Sequence, residues 1–224
     1  MPANFDLLIF DLDGTLFETR EDLASSVNYA LGKEGFEELP LETIVQFVGD
    51  GAAKLIQRSL GARATDLLCK GVLDTFLEHY ADHCTGATRA YPGVAEIIPA
   101  LNSQALAILT NKPSGPTESI LEASGLQQYF KKVIGGDTAH GRKPDPAGIF
   151  SIMGELGFDP SRALLVGDTS VDVKTARNAN CRCAGVKYGF RPGDFDKDPP
   201  DYLLDEFKDL LAILEDGAKL DNGS

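Results

Sequence analysis

Leu7-Leu8-Ile9-Phe10 is an unbroken apolar run of four residues, too short for a helix and without polar alternation. Such a run predicts a strand buried on both faces, the habit of parallel sheets. The pattern then turns helical. Leu23, Val27, Ala30 and Leu31 recur at helical spacing behind Thr19-Arg20-Glu21-Asp22, which reads as a capping box. Leu41, Ile44, Val45 and Val48 make a second short helix after Pro40, Gly49-Asp50-Gly51 interrupts it, and a third helix is expected from Ala52 to Leu60. Leu68, Val72, Phe76 and Tyr80 step by four through the longest helix, about Ala64 to Cys84, as an amphipathic packing stripe. From Tyr91 onward, helices and strands alternate. Helices are expected at 93–103, 116–124, 146–156, 170–179 and 206–215. The strands between them are Ala105–Leu109, Val133-Ile134 running into Gly135-Gly136-Asp137, Ala163–Val166, and two weaker ones at 183–187 and 201–204. Residues after Gly217 are expected to fray. Strands alternating with helices imply a parallel sheet covered on both faces. The expected architecture is therefore α/β: a Rossmann-like, doubly wound parallel core from 1–15 and 89–224, with a helical cap domain, 16–88, inserted after the first strand.

Composition narrows the function. The 224 residues are 43% hydrophobic and 25% charged, with a net charge of −13. That balance argues against nucleic acid and anionic membrane surfaces, which reward clustered Lys and Arg. No stretch approaches the ~20 apolar residues that span a bilayer, and the N-terminus has no secretion pattern. Cys69, Cys84, Cys181 and Cys183 have neither zinc-site nor disulfide-framework spacing, so reduced thiols in a cytoplasmic protein are expected. His79, His83 and His140 read as surface residues.

Three apolar strands end in polar groups able to act on one ligand: Asp11 and Asp13, then Thr110, then Asp168, with Lys143 and Asp172 in a loop and a helix start on the same edge. Ligands of open α/β sheets sit outside the carboxyl ends of the strands. Carboxylates converging there repel by about 4 kcal/mol per pair at ~4 Å and an effective dielectric near 20. A hard cation such as Mg²⁺ relieves that repulsion and the repulsion between an anionic nucleophile and a phosphate. Lys143 and the Thr110 hydroxyl would hold the transferring oxygens. The chemistry expected is phosphoryl transfer.

Asp11-Leu-Asp13-Gly-Thr, Thr110-Asn111, Lys143-Pro144 and Gly167-Asp168-Thr-Ser-Val-Asp172 resemble the four ordered motifs of the haloacid dehalogenase superfamily. Phe47-Val-Gly-Asp-Gly-Ala52, Tyr91-Pro-Gly-Val94, Thr110-Asn-Lys-Pro113 and Tyr188-Gly189 are similar to its phosphoglycolate phosphatase branch. The resemblance implies a phosphomonoester hydrolase with Asp11 as nucleophile, forming an aspartyl-phosphate, and Asp13 as acid and then base. It implies Mg²⁺ held by Asp11, the main-chain carbonyl of Asp13, Asp168 and Asp172. Thr110, Asn111 and Lys143 would bind the phosphoryl group of a small phosphorylated metabolite, 2-phosphoglycolate foremost. The inserted bundle resembles a cap hinged near 15–18 and 86–91, and the enzyme would act as a monomer or homodimer. Two readings stay open for the Gly49-Asp50-Gly51-Ala52 turn: its amides, with Lys54, face a substrate carboxylate, or it is a plain helix junction.

The sequence departs from the branch at Phe17-Glu18-Thr19, by the pocket entrance, and at Asn180, where relatives carry Gly and where a left-handed residue would be tolerable. Asp13 counts against the dehalogenases and phosphonatases of the superfamily, which lack this second acid. A phosphosugar mutase, a pyrophosphatase and a nucleotidase share the core residues. A receiver domain of a response regulator is shorter, has no helical insertion there, and takes its phosphate on a later strand.

Overall fold

The computed structural model describes residues 5–221, apart from the side chains of Pro192 and 216–221; the fraying expected after Gly217 falls partly on 222–224, outside the described residues. Eight strands and nine α-helices are described. β1 (Leu7–Phe10) lies between β4 (Ala105–Leu109) and β6 (Ala163–Gly167), all parallel. β5 (Phe130–Ile134) flanks β4, and β7 (Arg182–Val186) and β8 (Tyr202–Leu204) extend the other side, giving the order β5-β4-β1-β6-β7-β8. The pleat sends alternate residues to opposite faces. Leu8, Phe10, Ile108, Leu164 and Val166 join one apolar cluster, and Leu7, Ile9, Ala107, Leu109 and Leu165 the other. A strand buried on both faces has no polar positions to alternate, which is why β1 could be read from four letters.

The helical segment runs through α1 (Arg20–Lys33), α2 (Leu41–Val45), α3 (Ala52–Leu60) and α4 (Asp66–His83). It is entered through β2 (Phe17–Glu18) and left through β3 (Arg89–Ala90), which pair antiparallel as a two-residue ribbon. Strands of two residues carry no periodicity, so the letters of the sequence do not announce them. Leu23, Val27, Phe76 and Tyr80 belong to the same apolar cluster as Leu8 and Phe10, so one buried surface runs from the sheet into the insertion.

Several local expectations change. The helix expected at 93–103 is α5 (Val94–Ile97) followed by a 3₁₀ turn through Ala100, because Pro99 cannot donate to a continuing helix. β5 starts three residues earlier than its apolar pair suggested; it is an edge strand whose Lys131 faces solvent. α6 (Ser114–Ala123), α7 (Ala147–Leu156) and α8 (Ser170–Asn178) cover the sheet between its strands. α9 (Leu210–Asp221) follows a 3₁₀ turn at Phe207–Asp209. Asn180 adopts φ 55°, the left-handed conformation anticipated there, and among the described residues no other non-glycine has positive φ. The capping box is a correction. Thr19 makes no side-chain cap, and its hydroxyl instead donates to Asp13 Oδ1 at 2.7 Å. Asp22 reaches across to accept from the main-chain N–H of Ala87 (2.8 Å) and Thr88 (2.8 Å) and from the Thr88 hydroxyl (2.8 Å). The three polar groups left open where the chain returns to the core are thus satisfied by one buried carboxylate. His79 is a second correction: it is half-buried, bonded to Ser26 (2.9 Å) and stacked between Tyr29 and His83.

Candidate active site

Asp11 follows β1, Thr110 follows β4 and Asp168 follows β6, so parallel register alone delivers three side chains to one edge. Asp172 sits in the first turn of α8, where its Oδ2 accepts from Thr169 N–H (3.1 Å) and the Thr169 hydroxyl (2.9 Å). Asp11, Asp168 and Asp172 are all buried and each offers a carboxylate oxygen within 4.8 Å of the others. Glycines make this approach possible. A Cβ on Gly14 (φ +78°) would stand 2.2 Å from Asp168 Oδ2, one on Gly167 would stand 2.2 Å from Asp172 Cγ, and one on Gly189 2.3 Å from Asp168 Cβ.

Lys143 is the counter-charge. Its Nζ donates to Asp172 Oδ1 at 2.6 Å and is ion-paired with Asp11 Oδ1 at 2.8 Å. Burial alone would lower the Lys143 pKa; the Asp11 and Asp172 carboxylates outweigh it and hold the ammonium charged. Burial raises Asp11 to about 6, against the pull of Lys143 and with a further push from Asp172. Asp168 is raised well above the usual carboxylate range, by burial first and by Asp11 and Asp172 next. Three acids and one lysine therefore leave surplus negative charge in a buried place. The set fits a hard divalent cation: three buried carboxylates with oxygens within 4.8 Å of one another, in a place that glycine backbones keep open.

Asp13 stands apart from this cluster. Its carboxylate accepts from Thr19 and from Lys112 Nζ at 3.0 Å, and faces the cleft. If Asp13 contributes to a metal, it does so through its main chain. Asn111 locks two loops together: its amide donates to Gly49 O (2.9 Å) and Lys143 O (3.0 Å) and accepts from Lys143 N–H (2.8 Å). The Thr110 hydroxyl is buried at the cleft and accepts from Lys112 N–H at 3.3 Å.

Between the strand ends and the insertion lies a cavity of about 40 Å³. Asp11, Asp13, Asp168, Thr110 and Asn111 line its floor, and Gly49 and Gly51 its rim. Leu23, Val48, Leu55 and Phe76 form an apolar roof. Lys54 does not reach it: the side chain is exposed and donates to Gln57 Oε1 at 3.1 Å, because its position on α3 points away from the buried face of Leu55 and Ile56. Two lining residues were missed. Lys112 and Tyr80 meet here, the ammonium donating to the phenol oxygen. Lys112 lies within the Thr110-Asn-Lys-Pro113 stretch, where no role was assigned to it, and a tyrosine within a buried apolar stripe needs a partner for its hydroxyl; those were the available signals.

The family model "Haloacid dehalogenase-like hydrolase" matches residues 8–186. The chain is 35% identical over 224 residues to a phosphoglycolate phosphatase of Haemophilus influenzae, covering 96% of this chain and 100% of that one. It is 36% identical to phosphoglycolate phosphatase 1 of Pseudomonas aeruginosa, with 96% and 81% covered. A solved structure described as a predicted phosphoglycolate phosphatase, from Haemophilus somnus, superposes with a TM-score of 0.89 at 32% identity, covering 94% of this chain and 98% of that one.

Proposed function

The chain belongs to the haloacid dehalogenase-like hydrolases and is a phosphatase among them, and from that premise we propose that it is a Mg²⁺-dependent phosphomonoesterase acting on a small carboxylated metabolite, 2-phosphoglycolate foremost. The observation that carries the reading is the separation of the two acids of Asp11-Leu12-Asp13. Asp11 lies in the buried cluster beside Lys143, and Asp13 is turned to the cleft between Thr19 and Lys112. That separation supports Asp11 as the group that attacks phosphorus and Asp13 as the group that handles the proton of the leaving oxygen.

Asp11 Oδ attacks the phosphoryl group, and the ester P–O bond breaks as Asp13 gives its proton to the leaving alkoxide. Asp13 then takes a proton from the water that cleaves the aspartyl-phosphate, which restores both carboxyl groups. Lys143 and the Thr110 hydroxyl hold the equatorial oxygens, and Asn111 keeps the Lys143 loop in place. Asp11, Asp168, Asp172 and the Asp13 carbonyl would hold Mg²⁺, which when bound offsets the charge of the phosphoryl group and the carboxylates. The apolar roof excludes water from the aspartyl ester until the leaving group departs. The Gly49–Ala52 turn contributes main-chain groups at the rim, and Lys54 stays outside. The unpaired cysteines and the absence of any described helix long and apolar enough to cross a membrane support a cytoplasmic enzyme. Measuring kcat/KM for 2-phosphoglycolate, glucose 1-phosphate and pyrophosphate tests the proposal: 2-phosphoglycolate should lead. Conversion of glucose 1-phosphate to its 6-phosphate, or a preference for pyrophosphate, replaces it with the mutase or pyrophosphatase reading.

A further inference from the structure

Lys112 and Tyr80 have no part in the steps above, yet they occupy the cleft. Among the side chains lining the cavity, Lys112 is the single basic one. Its side chain is 2% exposed, and its ammonium is held between Asp13 Oδ1 at 3.0 Å and the Tyr80 hydroxyl. Because the lysine is the donor in that second contact, Tyr80 keeps its own proton, and no acceptor for it exists among the described residues. Tyr80 is 1% exposed. Burial, and then the Asp13 carboxylate, raise its pKa well above that of a free phenol, so the proton stays in place at working pH. A buried positive charge and a spare buried donor therefore stand side by side, under the apolar surface of Leu23, Val48, Leu55 and Phe76. Leaving a buried donor unmade is costly, and a bound acceptor would relieve it.

We propose that Lys112 and Tyr80 together form a carboxylate subsite, which selects phosphate monoesters carrying a carboxylate on the carbon next to the ester oxygen. The proposal deepens the phosphomonoesterase reading and rests on it. The geometry sets the reach. Asp13 must come within a hydrogen bond, about 3 Å, of the leaving oxygen to protonate it. Lys112 Nζ is 3.0 Å from that same carboxylate, so one carbon between ester oxygen and substrate carboxylate spans the gap. A sugar or nucleoside would instead press hydroxyls against the apolar roof and leave them unpaired. The two halves come from different parts of the chain: Lys112 follows β4, and Tyr80 belongs to α4 of the insertion. A carboxylate bridging them favours the arrangement in which insertion and core are in contact.

The test compares 2-phosphoglycolate with ethyl phosphate, which has a methyl group where the carboxylate would be. For Lys112→Met, the ratio of the two kcat/KM values should fall by about 10- to 100-fold, mostly through KM for 2-phosphoglycolate. Tyr80→Phe, which removes one oxygen and keeps the test open should Lys112→Met fail to fold, should lower the ratio by about 3- to 10-fold. Lys112→Arg should restore part of the loss. In an Asp11→Asn background, calorimetric binding of 2-phosphoglycolate should weaken at least ~10-fold when Lys112→Met is added. Equal losses for both substrates would mean that Lys112 acts only on Asp13, and would overturn the subsite, as would an unmoved ratio in an active enzyme. A wild type that turns over neither ester overturns the phosphomonoesterase reading, and the subsite with it.

Discussion

The strand ends of the sheet and the seam between sheet and insertion are built in opposite ways. At the strand ends Asp11, Asp168, Asp172 and Lys143 are all buried, and the backbones of Gly14, Gly167 and Gly189 lie so close to Asp168 and Asp172 that a Cβ would clash with them. Across the seam the two halves meet through a few polar links, Asn111 to Gly49, Lys112 to Tyr80 and Thr19 to Asp13, set in apolar surface. The first region holds charge where charge is expensive, and only a tightly specified geometry can do so. On the proposed reading, chemistry belongs to the strand ends and selectivity to the seam.

The comparison breaks most easily at Asp11. Asp11→Asn should lower kcat by about 10³-fold or more while the fold persists. A melting temperature equal to or above wild type is expected, since one of the converging negative charges is gone. An active, folded variant would remove the nucleophile from the account.

Metal removal comes next, and it has a pH signature. EDTA should abolish turnover and Mg²⁺ restore it. The folded pKa of Asp11, about 6, is raised above its unfolded value of 3.8. Its contribution to stability is therefore fully present below about pH 4 and is lost as pH rises through 6. Asp168, also raised by burial and by Asp11 and Asp172, acts in the same direction. Metal-free protein should accordingly lose melting temperature from pH 5 to pH 7.5, and Mg²⁺ should raise it more at pH 7.5. An equal metal effect at both values would contradict the buried cluster.

Within the insertion the sharpest probe is Asp22. As a capping residue, its loss would cost about 1 kcal/mol. As the acceptor of three hydrogen bonds at the point where the chain re-enters the core, Asp22→Ala should cost about 2–4 kcal/mol in denaturant unfolding and also raise KM. The smallest effect is expected at Lys54: Lys54→Ala should leave kcat/KM for 2-phosphoglycolate within about twofold, since its charge faces solvent. A larger loss there would return the lysine to the site.

Asp11, Thr110 and Asp168 were legible because each follows an apolar run, and a parallel sheet gathers the ends of such runs on one edge. Lys143 and Asp172 were legible through their motifs. Lys112 was passed over because a lysine at a strand end carries no mark of being buried, and Tyr80 because a helical stripe records which face is apolar and nothing about where a hydroxyl points. Asp22 was assigned to the helix it begins. Its true partners lie 65 and 66 residues further on, brought near by a ribbon of two-residue strands.

The order of apolar runs and breakers along the chain by itself determined the layered α/β architecture, the inserted helices and the acids at the strand ends, because burial and register act through neighbours in sequence. Only the folded chain decided which polar atoms pair: Asp13 with Thr19 and Lys112, Lys112 with Tyr80, Asn111 with Gly49, and Lys54 with Gln57. Hydrogen bonds reach about 3 Å and demand direction, so such partners are settled by the packing of whole elements and not by the spacing of letters.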